Sequence, residues 1–484
     1  MGRRTGTLFA ALTAVLLMVA GCTGGGTGSG HHRGNVNVGA LPSPSEGPSA
    51  NLLGAKWDWS RVSSFTPYLH QISGGATFYE LVWCDVEKQQ GSPDWKHVDR
   101  VAKASQQLGF TLYLKIRVGT CWATGGRGTH VRGVKQKTES AMPLSLAAYR
   151  KFVHDAVARY SKYGVHEYAI ENEVNSESMW SGTPGQLSQL ITAASQEIHA
   201  VDPHALVVDP GISSTAYGDG IAARLLAEGK DSQAVSAYQA YYARRFSTRG
   251  QQLPRAHNVA ELRAALNTAQ ARRNLTYLAL VRQLAARHVV DVRQIHFYER
   301  WSSVPALLSY LHAETPAGVP IEGWEVGNFW PNGSTNPEVR ATEVVKTTTQ
   351  LLAGGVRRVI WLPLAYDPRG RHPDEVRYGL LDPNGGVRPA GRMIESVAAL
   401  THQASVRPVD VGNLRGIAFE RGGKSTLVVW SATSGQATIP ATRGAQTATL
   451  GARPHSVTGA IHIGQNPTVV TANQPLAKML PTLR

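Results

Sequence analysis

Eight short apolar runs, each followed by a helical period, recur along the chain and dictate its architecture. They occupy 52–57, 77–83, 111–118, 167–173, 205–209, 290–298, 321–325 and 356–364. Such near-continuous apolarity fits strands covered on both faces, as in a parallel sheet. The intervening segments carry the helical period. Tyr149, Phe152, Val153, Ala156, Val157 and Tyr160 fall on one face at spacings of three and four. Thr183-Pro184 and Asn336-Pro337 each read as an N-cap followed by proline at the first helical position. Eight such alternations predict a (β/α)8 TIM barrel, spanning 51–402. A doubly wound open sheet is the alternative, but no glycine-rich dinucleotide turn follows the first run.

Two stretches depart from this rhythm. Between the fifth and sixth runs, residues 215–289 are too long for one connection and contain helical stretches at 221–246 and 259–287. This insertion is expected either to overhang the mouth of the barrel as a lid or to pack on its flank. After residue 402 the helical period disappears. Residues 417–420 and 426–430 alternate around Arg421-Gly422-Gly423-Lys424, a hairpin signal, so 403–484 is predicted to be a small β-sandwich-like domain. Trp430 is expected to fill its core.

The N-terminus has a different purpose. Arg3 and Arg4 precede an apolar stretch at 8–20 and then Gly21-Cys22, the parts of a secretory signal in residues 1–21. The stretch is short for a membrane span. Leu17-Met18-Val19-Ala20-Gly21-Cys22 resembles a bacterial lipobox, which implies lipidation of Cys22 and attachment to the outer face of the cytoplasmic membrane. Residues 22–50, rich in Gly, Ser and Pro, read as a flexible tether.

The formal charge is +15. No basic run is interleaved with aromatics, which argues against a nucleic-acid partner; a solvated basic surface is the plainer reading. Besides Cys22 the only cysteines are Cys84 and Cys121. Each follows a predicted strand, those strands should be neighbours, and an exported context is oxidising, so they are a disulfide candidate. No spacing resembles a metal site.

The chemistry is carried by Ile170-Glu171-Asn172-Glu173-Val174-Asn175 and Pro320-Ile321-Glu322-Gly323-Trp324-Glu325-Val326-Gly327. Each places a glutamate where a strand gives way to a loop, and the fourth and seventh strand ends face each other across a barrel mouth. Two carboxylates so placed can protonate a leaving oxygen and attack a carbon centre. Glu171, expected two residues deeper on the same side and paired with Arg117, and Glu322, expected to face the opposite way from Glu325, are read as decoys.

Residues 51 to about 402 resemble the clan A glycoside hydrolases, the retaining (β/α)8 glycosidases. Asn172-Glu173 is similar to the pair ending the fourth strand of that clan, and Asn175 extends it. Glu325 is similar to the seventh-strand nucleophile. His296-Phe297-Tyr298 is similar to the His-x-Tyr of the sixth strand, and Trp361 to the tryptophan that floors the sugar site. Trp83-x-x-Val86-Glu87 with Gly91-x-x-Asp94-Trp95, and 379–385, resemble the family 39-like branch; a family 5-like branch is the other candidate. The resemblance implies a retaining hydrolase of O-glycosidic bonds, without metal or organic cofactor. Glu173 would hold a proton as acid/base and Glu325 would attack, steadied by Tyr298. Asn172 would bind a sugar 2-hydroxyl and His296 would line the site. Trp361, Trp57 and Trp83 would offer flat faces to the ring; Trp57 and Trp83 read equally well as packing. The chain lacks the second-strand arginine common in the clan. Either Arg117 on the third strand substitutes for it, or Glu80 marks an altered sugar subsite. The substrate would be a cell-wall, capsular or plant-type glycan. A non-catalytic carbohydrate-binding lipoprotein and an envelope-glycan transglycosylase are the alternative readings.

Overall fold

A computed structural model describes residues 51–126, 139–246, 253–328, 336–365, 379–440 and 444–480. The secretory segment, the tether and Cys22 lie outside these residues. Eight parallel strands follow the predicted runs: β1 (Leu53–Ala55), β2 (Ala76–Val82), β3 (Thr111–Arg117), β4 (Glu167–Ile170), β5 (Leu206–Val208), β6 (Arg293–Phe297), β7 (Ile321–Val326) and β8 (Val356–Trp361). They form two arcs, β2-β3-β4-β5 and β6-β7-β8-β1. A Val208–Val292 bridge joins β5 to β6. On the other side β1 meets β2 through glycine. A Cβ on Gly54 would lie 1.9 Å from the Ala76 carbonyl oxygen, and one on Gly75 2.0 Å from that of Leu53. Only residues without a side chain allow this approach.

Alternation divides the strand residues between two cores. Ala76, Phe78, Tyr113, Ala169, Val208, Val292, Trp324 and Ile360 fill the barrel interior. Trp324 stacks on Tyr113 at 4.7 Å and faces Phe78 at 6.3 Å between ring centroids. This layer closes the barrel and floors whatever lies above it. The opposite faces pack outward on the helices, with Leu53, Ala55, Leu81, Leu114 and Val326 among them.

β7 breaks the alternation. Ile295 of β6 pairs with Gly323, and the next residue, His296, pairs with Glu325. Trp324 is therefore an extra residue, a bulge that turns two successive side chains to the same side. The expectation that Glu322 faces away from Glu325 assumed an unbroken strand, and it fails here. Glu322 points inward at a deeper level, held by Trp324 Nε1 at 2.7 Å and by Arg357 at 2.6 Å.

Four helices, Ser214–Ala227, Asp231–Tyr241, Val259–Leu266 and Ala269–Ala286, fill the long connection from β5 to β6. They pack on one another, on the helix Pro184–Val201 that follows β4, and on Val304–Glu314, which puts most of them on the flank. The strands beyond the barrel, β9 (Ser405–Val411), β10 (Leu414–Arg421), β11 (Lys424–Ser431), β12 (Ala437–Pro440), β13 (Gln446–Thr449), β14 (His455–Ser456), β15 (Ala460–Ile463) and β16 (Thr468–Ala472), are antiparallel. The larger sheet, ordered β14-β13-β16-β11-β10-β9, has its own core on one face. Its other face rests on the barrel helix Pro337–Ala353. Trp430 belongs to that junction rather than to the small domain's core. It meets Trp301 edge-on at 6.4 Å, and Lys346 sits 4.3 Å and 5.6 Å from the two rings.

The glycine seam yields a stability prediction. Gly54→Val should force β1 off β2 and cost about 3 kcal/mol or more, the range of severe core overpacking. Urea denaturation of the variant beside the parent protein measures it; an unchanged midpoint would show that the seam tolerates a side chain.

Candidate active site

The Glu173 side of the site is built on a turn, not on strand residues. β4 stops at Ile170, three residues short of the expected end, and Glu171 and Glu173 both adopt left-handed backbone, with φ of 70° and 44°. Non-glycine residues there carry strain of about 1 kcal/mol or more each, and such strain gathers at functional positions. The turn separates the two carboxylates. Glu171 folds back, accepting a hydrogen bond from Val118 N–H at 2.7 Å and lying 3.8 Å from Arg117. Burial pushes its carboxyl up, opposed by Arg117 and that backbone amide. Glu173 emerges into the mouth. Its backbone is held by the Pro210 carbonyl, and one carboxylate oxygen lies 3.1 Å from His296 Nδ1.

Opposite, the bulge on β7 delivers Glu325 into a dense polar cluster. Lys115 Nζ donates to Glu325 Oε1 at 2.6 Å and to Asn172 Oδ1 at 2.7 Å, and lies 3.3 Å from His296 Nε2. The Tyr298 hydroxyl donates to Glu325 Oε2 at 2.9 Å, and His296 Nδ1 is 3.5 Å from the same oxygen. Burial alone would raise the Glu325 carboxyl. His296, the Lys115 ammonium and the Tyr298 hydroxyl outweigh it and hold the group below the ordinary carboxylate range. Ligating atoms of Glu173, His296 and Glu325 all lie within 4.8 Å of one another. Such a trio can suit a divalent cation, but here Lys115 already places a positive charge against Glu325 and the imidazole, which disfavours a second.

Lys115 is the residue that sequence reasoning missed. It occupies the role expected of Arg117, which instead pairs with Glu80 at 2.8 Å and with Glu171. The two basic residues alternate with outward apolar ones on β3, so both face inward, but the lysine is the one level with Glu325. Its signal was a lysine inside an otherwise apolar strand. Glu80 stays at the rim with its side chain 23% exposed.

Gly211 was also missed, despite the turn signature Asp209-Pro210-Gly211 after β5. A Cβ there would lie 2.4 Å from His296 Nε2, and its φ is +67°. The absent side chain leaves room for the imidazole.

Other expected site residues lie elsewhere. Trp57 is buried against Trp59 and Phe110 at 4.7 and 5.1 Å. Lys56 before it takes the inward position, so Trp57 turns to the outer core. Trp83 packs on Phe152, Trp122 and Tyr149 at 5.4–5.8 Å, and its indole N–H is bound by Glu87. Trp361 shares register with Ala55 and Val326, both outward-facing, and joins the outer core rather than flooring a sugar site. Asn175 is consumed by structure: its amide binds Ser213 and Asn274, both at 2.8 Å, and its oxygen accepts from Ser213 N–H.

The inserted helices brace this shell from behind. Arg273 donates to the carbonyls of Val174, Asn175 and Trp180. Ser214 Oγ accepts from Tyr298 N–H at 3.0 Å and donates to Glu299 at 2.9 Å, and Arg245 binds Glu299. Cys84 and Cys121 form a disulfide, with Cα atoms 5.6 Å apart, tying the loops after β2 and β3.

No protein-family model matches the sequence, and no curated protein matches it. The fold does resemble solved structures. A family 39 glycoside hydrolase from Bacteroides cellulosilyticus WH2 superposes with a TM-score of 0.59 over 88% of this chain and 81% of that one, at 13% identity. A monomeric β-xylosidase from Caulobacter crescentus CB15 gives 0.52 over 90% and 98%, at 14% identity. A glucosidase from Croceicoccus marinus gives 0.52 over 89% and 97%, at 11% identity. At these identities the likeness is one of fold.

The cluster makes a titration prediction. Lys115→Met removes a cation that favours the charged carboxylate, so Glu325 should titrate at higher pH than in the parent. Because its carboxyl is depressed in the folded state, its linked stability is present above the unfolded-state value, about pH 4.3. That stability is lost as pH falls through the folded value, and in the variant the loss should begin at higher pH. Carboxyl 13C NMR and acid denaturation read both effects. An unmoved Glu325 titration would separate Lys115 from the electrostatics of the site.

Proposed function

We propose that the chain is a retaining glycoside hydrolase that cleaves an O-glycosidic bond by double displacement, Glu325 as nucleophile and Glu173 as acid/base. One observation carries the reading: two carboxylates from opposite strand ends, with oxygens within 4.8 Å of each other and unequal surroundings. Retaining enzymes keep the pair roughly 5–5.5 Å apart, whereas inverting ones leave room for a water. Lys115 and Tyr298 bind Glu325, which favours its charged form as the attacking group. Among the described residues, Glu173 has only His296 on its side chain, and its second oxygen accepts no hydrogen bond from them. It is the one suited to carry a proton to the departing oxygen and later take one from water.

Asn172 supports the same reading. Its oxygen is fixed by Lys115, while its Nδ2 is buried with no partner among the described residues. An orphaned amide is costly unless something completes it, and a sugar 2-hydroxyl beside the anomeric carbon would. His296 touches both carboxylates and Lys115 and so positions the pair rather than contacting sugar. The Arg3–Cys22 segment favours an exported, lipid-anchored protein acting at the cell surface. The oxidised Cys84–Cys121 pair suits that compartment. The carbohydrate would then be a polymer or oligomer outside the cytoplasm.

A panel of aryl glycosides tests the proposal, with xylosides and glucosides first. Glu325→Gln should lower kcat/KM by roughly three orders of magnitude or more, and Glu173→Gln by roughly two to four, least for the best leaving groups. Proton NMR of the first-formed product should show retained anomeric configuration. Activity surviving Glu325→Gln, or inversion, would overturn the assignment. Transfer to an added sugar acceptor in place of water would favour the transglycosylase reading.

A further inference from the structure

Lys56 is buried beside the glutamate cluster with no hydrogen-bond or ion-pair partner among the described residues. It is 7% exposed. It follows β1, where Leu53 and Ala55 face the outer core, so alternation turns it inward over the barrel's interior layer. Its ammonium lies 5.2 Å from the ring centre of Phe78 and 5.7 Å from that of Tyr79, and Lys115 Nζ sits 4.3 Å from the same Phe78 ring. Two ammonium groups thus approach one ring in the barrel mouth.

Among the described residues, the carboxylates near Lys56 are engaged elsewhere. Glu80 is bound by Arg117 at 2.8 Å, Glu325 by Lys115 at 2.6 Å and Tyr298 at 2.9 Å, and Asp58 by Ser60 N–H and hydroxyl at 2.9 and 2.7 Å. Burial accordingly pulls the Lys56 amine down to about 8, and the surrounding carboxylates only partly offset it. Lys346, also buried, differs in kind. It lies 4.3 Å from the indole of Trp301 and within reach of a second tryptophan, and indole faces are the strongest aromatic hosts for a cation. Among the described residues Lys56 has two weaker rings, near the outer limit of that interaction. A buried cation left this way is costly and is usually completed from outside.

We infer that Lys56 recognises an anionic substituent on the sugar bound in the glutamate site, so that the substrate is an acidic glycan, carrying either a uronic acid carboxylate or a sulfate ester. The inference rests on the hydrolase reading for the word substrate, but the recognition itself is separable from turnover. Asn172 and the two glutamates take the anomeric side of the ring, and Lys56 takes the charge. Lys115 is already committed to Glu325 and Asn172 and adds only its field.

Binding and turnover are measured on the full chain with paired sugars. Calorimetry compares glucuronate, galacturonate and mannuronate with glucose, galactose and mannose, and glucose 6-sulfate with glucose. Aryl uronides are compared with their neutral aryl glycosides. At least one acidic member should bind about ten- to a hundred-fold tighter than its neutral partner, as one charge-assisted hydrogen bond in a desolvated site predicts. Lys56→Met should collapse that ratio, and Lys56→Arg should keep most of it; thermal melts verify that both variants fold. Uronate preference assigns a carboxylate, and preference for the 6-sulfate alone assigns a sulfate ester. Equal binding in every pair, no binding of any sugar, or a ratio that survives Lys56→Met would overturn the inference. Acid-selective binding without hydrolysis of any glycoside would instead count against the hydrolase reading alone.

Discussion

The buried contact between Lys115 and Glu325 organises the mouth of the barrel. Both side chains are essentially unexposed, where an isolated charge is too costly to persist. Each is tolerable only because the other is present, with Asn172, Tyr298 and His296 taking up the remaining donors and acceptors. Removing the ammonium strands a carboxylate; removing the carboxylate strands an ammonium. The pair therefore fixes the orientation of Asn172 and, through the imidazole, of Glu173. The asymmetry between the glutamates follows from which of them the lysine reaches.

The barrel was legible because its signal repeats. Eight apolar runs separated by amphipathic helices leave few alternatives, and local misjudgements of two or three residues at strand ends do not alter the sum. Caps such as Thr183 before Pro184 were readable from the sequence because they are local chemistry. The glutamates were legible as strand-end residues for the same reason. Their surroundings were not. Whether Trp57, Trp83 and Trp361 face a cleft or a helix depends on one-residue parity, which pattern alone leaves open at strand ends. Asn175 was assigned by likeness of motif, yet its partners come from residues 213 and 274, remote in the sequence.

Perturbed carboxylates also occur away from the mouth, where they have structural causes. Glu167, at the opposite end of the barrel, is raised to about 8 by burial and then by the neighbouring Glu322, with Arg357 opposing. Asp209 is raised by burial and drawn back by Arg293, which it binds at 2.7 Å. Neither faces a second carboxylate at the C-terminal ends of the strands. An unusual acid is common in this protein; an unusual acid opposite another at strand ends is what distinguishes the candidate site.

The single extra residue on β7 has a consequence for how this strand can change. With Trp324 inserted, the indole supports the floor and the next side chain supplies the reactive acid, two tasks that ordinary pleating would assign to opposite faces. Excising Trp324 would restore the ordinary pleat: the acid would keep its inward face opposite His296, and the floor would lose its indole. The extra residue is what lets one strand serve both tasks, and a strand one residue shorter would keep the acid and give up the floor.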